Sequence, residues 1–209
     1  MRHGVLLLLL AVLLSPLSAG EARAANEPKA HDAGFFMRLS AGFGGAGTSA
    51  DVDLFQTGTI DELKYTGAGS DLNFAFGGIV IPNLALHGTL FGWAIAEPDL
   101  EYGGTEFPTD EVTLMLFGYG GGATYYLGTS NVYLSASVGA AELDLEVEGV
   151  TYETDVGWAV QGMAGKEWWV GGKWGLGVAV DFGYHSVPDK DGTTYNGTNW
   201  GVLFSATFN

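Results

Sequence analysis

The sequence contains no cysteine, few basic residues and only one long apolar run. The absence of cysteine excludes a disulfide framework and thiol chemistry. Eight lysine and arginine residues stand against 24 aspartate and glutamate residues, and the formal net charge of −16 argues against nucleic acid or an anionic membrane surface as a direct partner. Because no run approaches the roughly 20 apolar residues that a helix needs to cross a bilayer, we expect no helical membrane anchor.

The one long apolar run lies at the start of the chain and has the pattern of a secretory signal peptide. Arg2 and His3 precede an apolar run of about ten residues at 5–14, and Ala22-Arg23-Ala24 is a small-x-small cleavage site. Cleavage there removes two arginines and one glutamate, which leaves the mature chain more acidic still. No cysteine follows the leader, so we do not expect a lipid-anchored lipoprotein.

The mature sequence alternates between large apolar residues and small or polar residues with the period of two that is typical of β-strands. In the stretch WGVLFSATF at 200–208, Trp, Val, Phe, Ala and Phe lie on one face and Gly, Leu, Ser and Thr on the other. The same alternation defines eight segments, at residues 34–44, 71–81, 84–96, 112–126, 132–139, 156–170, 174–185 and 200–208. We therefore predict eight strands.

The direction of the apolar rows decides between a membrane barrel and a soluble, lipocalin-like barrel. A soluble barrel needs its large apolar side chains inside. Between 174 and 182, however, small or charged residues fill the row opposite the apolar one, and they are Gly175, Gly177, Ala179 and Asp181. This alternation favours apolar rows against lipid, with the small and charged rows filling the middle.

Segment 84–96 is ambiguous because both of its faces are apolar. One row contains leucine at positions 84, 86 and 90, and the opposite row contains Phe91, Trp93 and Ile95. We assign the leucine row to the outside.

The connections between the segments follow a regular order of length. Tight turns alternate with long connections, which lie at residues 45–70, 97–111, 146–155 and 187–199. A closed antiparallel barrel with both termini at one end produces this order. Within hydrocarbon each unpaired backbone N–H or C=O costs several kcal/mol, so strands cross only as a ring without edges. Eight strands leave an interior that side chains can fill.

We therefore predict an all-β fold, an eight-stranded antiparallel transmembrane up-and-down β-barrel. The barrel domain spans residues 34–209. A cleaved signal peptide at 1–24 and a short, mobile N-terminal tail at 25–33 precede it.

With its alternating segments and the stretch GKEWWVGGKWGLGV at 165–178, the mature chain resembles the small eight-stranded outer-membrane barrels of the OmpA/OmpX type. The closing strand of those barrels usually ends in an aromatic residue that the assembly machinery reads, whereas here Asn209 follows Phe208. The resemblance implies the outer membrane of a Gram-negative bacterium, with periplasmic termini and extracellular long loops. It also implies contacts with outer-membrane lipid, lipopolysaccharide and the barrel-assembly machinery. We expect a monomer without a cofactor or a peptidoglycan-binding domain.

One basic and several acidic residues fall on the inward rows. We predict a buried ion-pair network that plugs and stiffens the barrel, formed by Arg38, Asp71, Glu167 and Asp181. Other polar residues on these rows are Asn73, His87, Gln161 and His185. The alternative is a narrow water path, which would favour cations because acidic residues are in excess.

A second alternative is an enzyme, since some barrels of this size remove or transfer acyl chains of lipid A. His185 and Ser186, with Asp181 and Asp189 near them, contain the groups of a hydrolase. Adjacent residues on a strand point to opposite faces, however, so this histidine and this serine cannot share one site. We therefore predict no catalytic residues and no lipid A-modifying activity.

Two further sets of residues belong to the membrane surfaces. Aromatic residues near the strand ends predict interfacial girdles, and they are Phe35, Phe43, Trp158, Trp168, Trp174, Tyr184, Trp200 and Phe208. An acidic row contains Glu142, Asp144, Glu146 and Glu148. This row is either a solvated surface or a place where divalent cations bridge carboxylates to lipopolysaccharide phosphates. The sequence as a whole predicts a non-enzymatic integral membrane protein with a structural or surface-interaction role and acidic loops that meet an extracellular partner.

Overall fold

The computed structural model describes residues 30–53 and 58–209, which form eleven β-strands and one 3-10 turn at Gly128–Ser130. The strands are β1 (Gly34–Val52), β2 (Asp61–Ile81), β3 (Leu84–Ala96), β4 (Asp99–Tyr102), β5 (Thr105–Phe107), β6 (Val112–Tyr126), β7 (Val132–Val147), β8 (Val150–Glu153), β9 (Gly157–Trp169), β10 (Trp174–Pro188) and β11 (Thr194–Phe208). The predicted signal peptide and residues 25–29 of the predicted tail lie outside the described residues.

Eight of these strands form a closed antiparallel ring in the order β1, β2, β3, β6, β7, β9, β10, β11. The ring closes because β1 pairs with β2 on one side and with β11 on the other, where Met37 lies opposite Phe208. Closure pairs the backbone groups of both edges, which is the condition for strands in hydrocarbon. The predicted fold, an eight-stranded antiparallel transmembrane up-and-down β-barrel, is confirmed.

The two ends of the barrel differ. The turns at 82–83, 127–131 and 170–173 lie at the same end as the start of β1 and the end of β11, which we call the terminal end. The opposite end, which we call the loop end, carries the short strands β4, β5 and β8. There β4 pairs with the first residues of β2, and β8 pairs with the last residues of β7.

The strands extend further at the loop end than the sequence predicts. The connection expected at 45–70 is mostly a paired hairpin, in which Gly45 lies opposite Ala68 and Val52 opposite Asp61. The connection expected at 187–199 is likewise shortened, because β10 continues to Pro188 and β11 begins at Thr194. These extensions contain mostly small and polar residues, and their large apolar or aromatic residues, such as Leu63 and Tyr65, are too few for an alternation of hydropathy to mark them. Their backbone groups still pair across the strands.

The outer face of the barrel is apolar and exposed. On β10, Val180 and Phe182 are 56% and 59% exposed, whereas Ala179 and Asp181 are 4% and 5% exposed. On β3, leucines 86 and 90 face outward, and Phe91, Trp93 and Ile95 are buried inside. The predicted direction of the leucine row is confirmed.

The interior is less polar than the alternation on β10 suggests. An apolar cluster fills its loop-end half, and the buried members of this loop-end cluster are Phe91, Trp93, Ile95, Leu114, Leu116, Ala141, Leu143, Ala159 and Val187. On β6 the inward row contains leucines and the outward row contains Phe117 and Tyr119, which are about half exposed. Because both rows of this strand are apolar, hydropathy alone does not show which of them faces inward. Polar groups fill only part of the middle.

The residues before β1 are packed against the terminal end. His31 is 1% exposed, and its ring stacks on that of Tyr126 with centroids 3.6 Å apart. The His31 backbone N–H donates to Asn83 Oδ1, and the Asn83 backbone N–H donates to the His31 carbonyl oxygen. The expected mobile tail is therefore corrected at His31, where stacking and hydrogen bonds hold the chain against the barrel.

In the described part of the chain, no helix is long and apolar enough to cross a membrane.

Candidate functional site: the barrel interior and the loop end

One amide joins two carboxyl groups in the middle of the barrel. Asn199 on β11 donates from Nδ2 to Asp71 Oδ2 at 3.0 Å and to Asp181 Oδ2 at 3.1 Å. All three side chains are 5% exposed or less. Buried carboxyl groups need such donors, because leaving them without hydrogen bonds costs more free energy than the bonds themselves contribute.

The hydrogen-bond network continues across the barrel. Gln161 Nε2 donates to Asp181 Oδ2 at 3.1 Å, and Asn73 Nδ2 donates to Gln161 Oε1 at 2.7 Å. Asn73 Nδ2 also lies 3.3 Å from Thr89 Oγ1. The network therefore links side chains from strands β2, β3, β9, β10 and β11 around one level of the interior.

Arg38 belongs to a second group of contacts, nearer to the terminal end. Its Nη2 donates to Ser135 Oγ at 3.0 Å, and its guanidinium lies 4.5 Å from the centroid of the Tyr133 ring. The Ser135 and Thr124 hydroxyl groups share a hydrogen bond of 2.8 Å, and Thr124 lies 3.0 Å from His87 Nε2. In the described part of the chain, Nε and Nη1 of Arg38 have no hydrogen-bond partner.

Glu167 is bound by hydroxyl groups. Thr207 Oγ1 donates to Glu167 Oε1 at 2.7 Å, and the Tyr126 hydroxyl lies 3.3 Å from Glu167 Oε2. The structure therefore buries all four residues of the predicted ion-pair network, but their hydrogen bonds run to amides, hydroxyl groups and, from Arg38, the Met163 thioether sulfur. Electrostatic pairing of Arg38 with the carboxylates over a longer distance stays a prediction.

The residues of the hydrolase alternative are not brought together. His185 is fully buried, and its Nε2 lies 3.0 Å from Thr48 Oγ1. Ser186 follows it on β10 and lies on the opposite face, as the strand geometry predicts. Asp181 belongs to the central network, and Asp189 lies in the turn after β10. This arrangement separates the Ser186 hydroxyl from the His185 imidazole.

The eight aromatic residues of the predicted girdles lie on the outer face in two bands. At the terminal end Phe208 contacts Phe35 and Trp174, with ring centroids 6.3 Å and 5.3 Å apart respectively. Near the loop end Trp158 contacts Tyr184, with centroids 5.5 Å apart. The remaining members, also on the outer face, are Phe43, Trp168 and Trp200. Their role at the membrane interfaces stays a prediction.

The acidic row runs along β7 at the loop end and continues into the turn after it. Asp144 lies opposite Glu153 of β8, and burial, followed by the nearby Glu153 and Glu142, raises the pKa of Asp144. Among residues 30–53 and 58–209, no group of three or more histidine, aspartate or glutamate side chains is placed to hold a metal ion. Glu142, Asp144, Glu146 and Glu148 thus form an acidic surface, and the divalent-cation hypothesis gains no support.

Two features of the structure were not predicted from the sequence. Asn199 lies inside the predicted connection at 187–199, although its position next to Trp200, on the opposite row of the same strand, places it inside the barrel. The second feature is a recess of about 110 Å³ at the loop end, lined by Tyr65, Leu114, Leu143, Leu145, Tyr152, Glu153, Thr154, Asp189 and Tyr195. Its residues come from five strands and two connecting segments, so no local pattern connects them.

The fold is shared with membrane barrels of known structure. Neisserial surface protein A aligns with 85% of this chain and 99% of its own, with a TM-score of 0.56 and 14% sequence identity. The outer membrane protein OprG from Pseudomonas aeruginosa aligns with 86% of this chain and 98% of its own, with a TM-score of 0.51 and 14% identity. No protein-family model and no curated protein matches the sequence. The chain has the fold of the small eight-stranded outer-membrane β-barrels, as the resemblance implied.

Proposed function

We propose that the protein is a non-enzymatic integral outer-membrane protein that displays an acidic surface at its loop end. The observation that carries this proposal is the filled interior. The loop-end cluster, the Asn199 network and the Arg38 contacts occupy successive levels of the barrel. A barrel filled by packed side chains acts as a rigid support for what lies at its ends.

The loop end suits a surface that meets positively charged partners. It carries many of the acidic residues, among them Asp51, Asp61, Glu62, Glu97, Asp99, Glu101, Glu106, Asp110, Glu142, Asp144, Glu146, Glu148, Glu153, Asp155, Asp189 and Asp191. Such a charge attracts cationic partners and repels anionic ones. In the proposed orientation the terminal end faces the periplasm, and the loop end faces the exterior beside the lipopolysaccharide.

Surface labelling tests the orientation. The natural sequence has no cysteine, so one introduced cysteine is the only thiol. Thr151→Cys places it on exposed β8 at the loop end, and Thr129→Cys places it in an exposed turn at the terminal end. A membrane-impermeant maleimide added to intact cells should label the Thr151→Cys variant and leave the Thr129→Cys variant unlabelled until the cells are lysed. The reverse pattern would contradict the proposed orientation.

A cation-preferring pore is the second candidate, and the buried network of Asp71, Asp181 and Asn199 favours it. The loop-end cluster opposes it, because Phe91, Trp93 and Leu116 are each 5% exposed or less and fill interior space beside the network and towards the loop end. Recordings in planar bilayers should therefore show no steady conductance. A cation-selective current would replace the first proposal with the pore.

An enzymatic role is the least favoured. The mass spectrum of lipid A from cells that express the protein should be the same as that from cells without it. A mass shift that disappears in the His185→Ala variant would overturn the non-enzymatic proposal.

A further inference from the structure

The recess at the loop end combines an apolar floor, aromatic walls and an acidic rim. Leu114 and Leu143 form the floor and are 1% and 4% exposed. Tyr65 and Tyr195 are half-buried walls, and Asp189 lies beside them. The volume of about 110 Å³ far exceeds the roughly 10–15 Å³ that one water molecule needs. The recess therefore has room for a small organic group.

Hydrogen bonds hold the floor and the rim of the recess in place. The Leu143 backbone N–H donates to Thr154 Oγ1 at 3.0 Å, and the Thr154 N–H donates to the Leu143 carbonyl at 3.1 Å. The Asp155 N–H donates to the Pro188 carbonyl at 2.9 Å, which ties the chain before β9 to β10. Asp189 itself is fixed in a turn, where its backbone N–H donates to the Thr193 carbonyl at 2.6 Å. The recess is thus formed before any ligand enters.

The charge of the recess is negative and comes from its carboxylates. Asp189 and Glu153 contribute to the lining, and no lysine or arginine is among the lining residues. Burial, followed by the nearby Tyr65, Asp189 and Asp191, raises the pKa of Tyr195 to about 12. The phenol of Tyr195 therefore stays neutral at physiological pH and presents an aromatic face and a hydroxyl group.

We propose that this recess binds a small organic cation, a quaternary or alkyl-substituted ammonium group. Its alkyl groups rest on Leu114 and Leu143, and its positive charge lies between the tyrosine rings and beside Asp189. Aromatic faces attract such cations through their quadrupole, and quaternary ammonium ions are the ligands that clusters of aromatic rings recognise best. The apolar floor disfavours metal ions and other small, strongly hydrated cations, because its leucine side chains offer no ligands in place of the water that such ions would lose. This proposal names a ligand for the acidic surface of the proposed function. It rests on that function only for the orientation that exposes the recess to the outside of the cell.

A pair of probes of equal shape tests the charge requirement. Choline carries a trimethylammonium group, and 3,3-dimethylbutan-1-ol carries the same three methyl groups on a neutral carbon. Ligand-observed NMR on the purified full-length protein in a non-ionic maltoside detergent avoids competing ammonium headgroups. Choline should bind saturably and at least roughly tenfold more tightly than the alcohol, since a desolvated cation–π contact and a carboxylate both favour it. Equal binding of the two probes, or binding of neither, would overturn the proposal.

Variants locate the site. Asp189→Asn keeps an oxygen for the hydrogen bond from the Lys190 N–H, and Tyr195→Leu keeps an apolar wall. Each should weaken choline binding by roughly three- to tenfold. Glu106→Gln removes one negative charge from exposed β5, which does not line the recess, and should change binding less than about twofold. Equal losses in Asp189→Asn and Glu106→Gln would show diffuse attraction instead of a site.

Two controls separate the possible failures. Heat-dependent migration on a denaturing gel shows whether each variant still folds as a barrel. Surface labelling of the Thr151→Cys variant reports the orientation independently of choline. Choline binding without surface labelling would contradict the orientation and keep the site, whereas labelling without choline binding would remove the site and keep the proposed function.

Discussion

Asp71 and Asp181 accept hydrogen bonds from the same amide nitrogen of Asn199 inside the barrel, at 3.0 and 3.1 Å. Asp71 lies on β2 and Asp181 on β10, and β1 and β11 separate these two strands in the ring. Two carboxyl groups of a net acidic protein thus share one neutral donor in a water-poor interior. We therefore expect the uncharged Asn199 amide to contribute substantially to stability. If it is removed, both buried carboxyl groups lose a hydrogen-bond donor.

The Asn199→Ala variant should therefore be less stable by about 1–3 kcal/mol. The measurement is urea unfolding in non-ionic detergent, followed by tryptophan fluorescence. Asn196→Ala on the same strand is the matched control: Asn196 accepts an exposed hydrogen bond from the Tyr184 hydroxyl group and should contribute less than about 0.5 kcal/mol. If the two alanine variants lose the same unfolding free energy, Asn199 does not stabilise the barrel as a shared donor.

A double-mutant cycle on Arg38 and Glu167 tests the predicted ion-pair network. Both side chains are nearly fully buried, and neither donates or accepts a direct hydrogen bond with the other in the described contacts. If their charges pair across the interior, Arg38→Met and Glu167→Gln should show a coupling energy of about 1 kcal/mol or more. Unfolding free energies of the two single variants and the double variant give this value. A coupling energy near zero would leave hydrogen bonding and packing as the only roles of the two residues.

Two leucines on β7 compare the inside of the barrel with its outside. Leu143 is 4% exposed within the loop-end cluster, whereas Leu134 is 56% exposed on the outer face. Leu143→Ala should cost about 2–5 kcal/mol because it leaves a cavity in a packed interior. Leu134→Ala should cost less than about 1 kcal/mol, since detergent or lipid fills the space that it vacates. Similar losses of unfolding free energy in the two variants would contradict the packing of the loop-end cluster.

We expect the stability of the protein to depend on pH through Asp144, which belongs to the acidic surface. Its pKa is raised above the ordinary value of 3.8 by burial and by Glu153 and Glu142, so the folded state holds the proton more tightly than the unfolded chain does. Stability is then lost as the pH rises from 3.8 through the raised pKa of the folded state. Asp144→Asn should therefore be more stable than the natural protein at neutral pH, and the difference should vanish below pH 3.8.

Urea unfolding of both proteins at several pH values measures this difference. A second variant, Glu153→Gln, removes one of the neighbouring charges. In its background the stabilising effect of Asp144→Asn at neutral pH should be smaller. An effect of the same size at every pH would show that repulsion between carboxylates is not its cause.

Much of the fold could be predicted because successive residues of a strand point to opposite faces, so the local sequence shows which residues share a face. Residues 174–182 alternate so regularly that the direction of each side chain follows from the pattern alone. The strand extensions at 45–52 and 61–70 could not be predicted in this way. They consist mostly of small and polar residues with few large apolar ones, and their strand structure depends on the pairing of one segment with the other.

The candidate sites were less accessible to prediction. The inward position of Arg38 follows from the alternation around it, but its contact with Ser135 does not, because β1 and β7 are not neighbours in the ring. The recess around Tyr65, Tyr195 and Asp189 combines residues that are far apart in the sequence and half-buried. Nothing in the immediate sequence of any one of them indicates the other two.

By itself, the sequence determined the number of strands in the barrel ring, their antiparallel succession and the apolar character of the outer wall, because these properties depend on a period of two and on the order of turns. Only the tertiary structure decided which interior groups meet, such as Asn199 with Asp71 and Asp181, and where Tyr65 and Tyr195 enclose a recess. The physical reason is that contacts across a barrel depend on the tilt and stagger of the closed ring, which belong to all eight strands together.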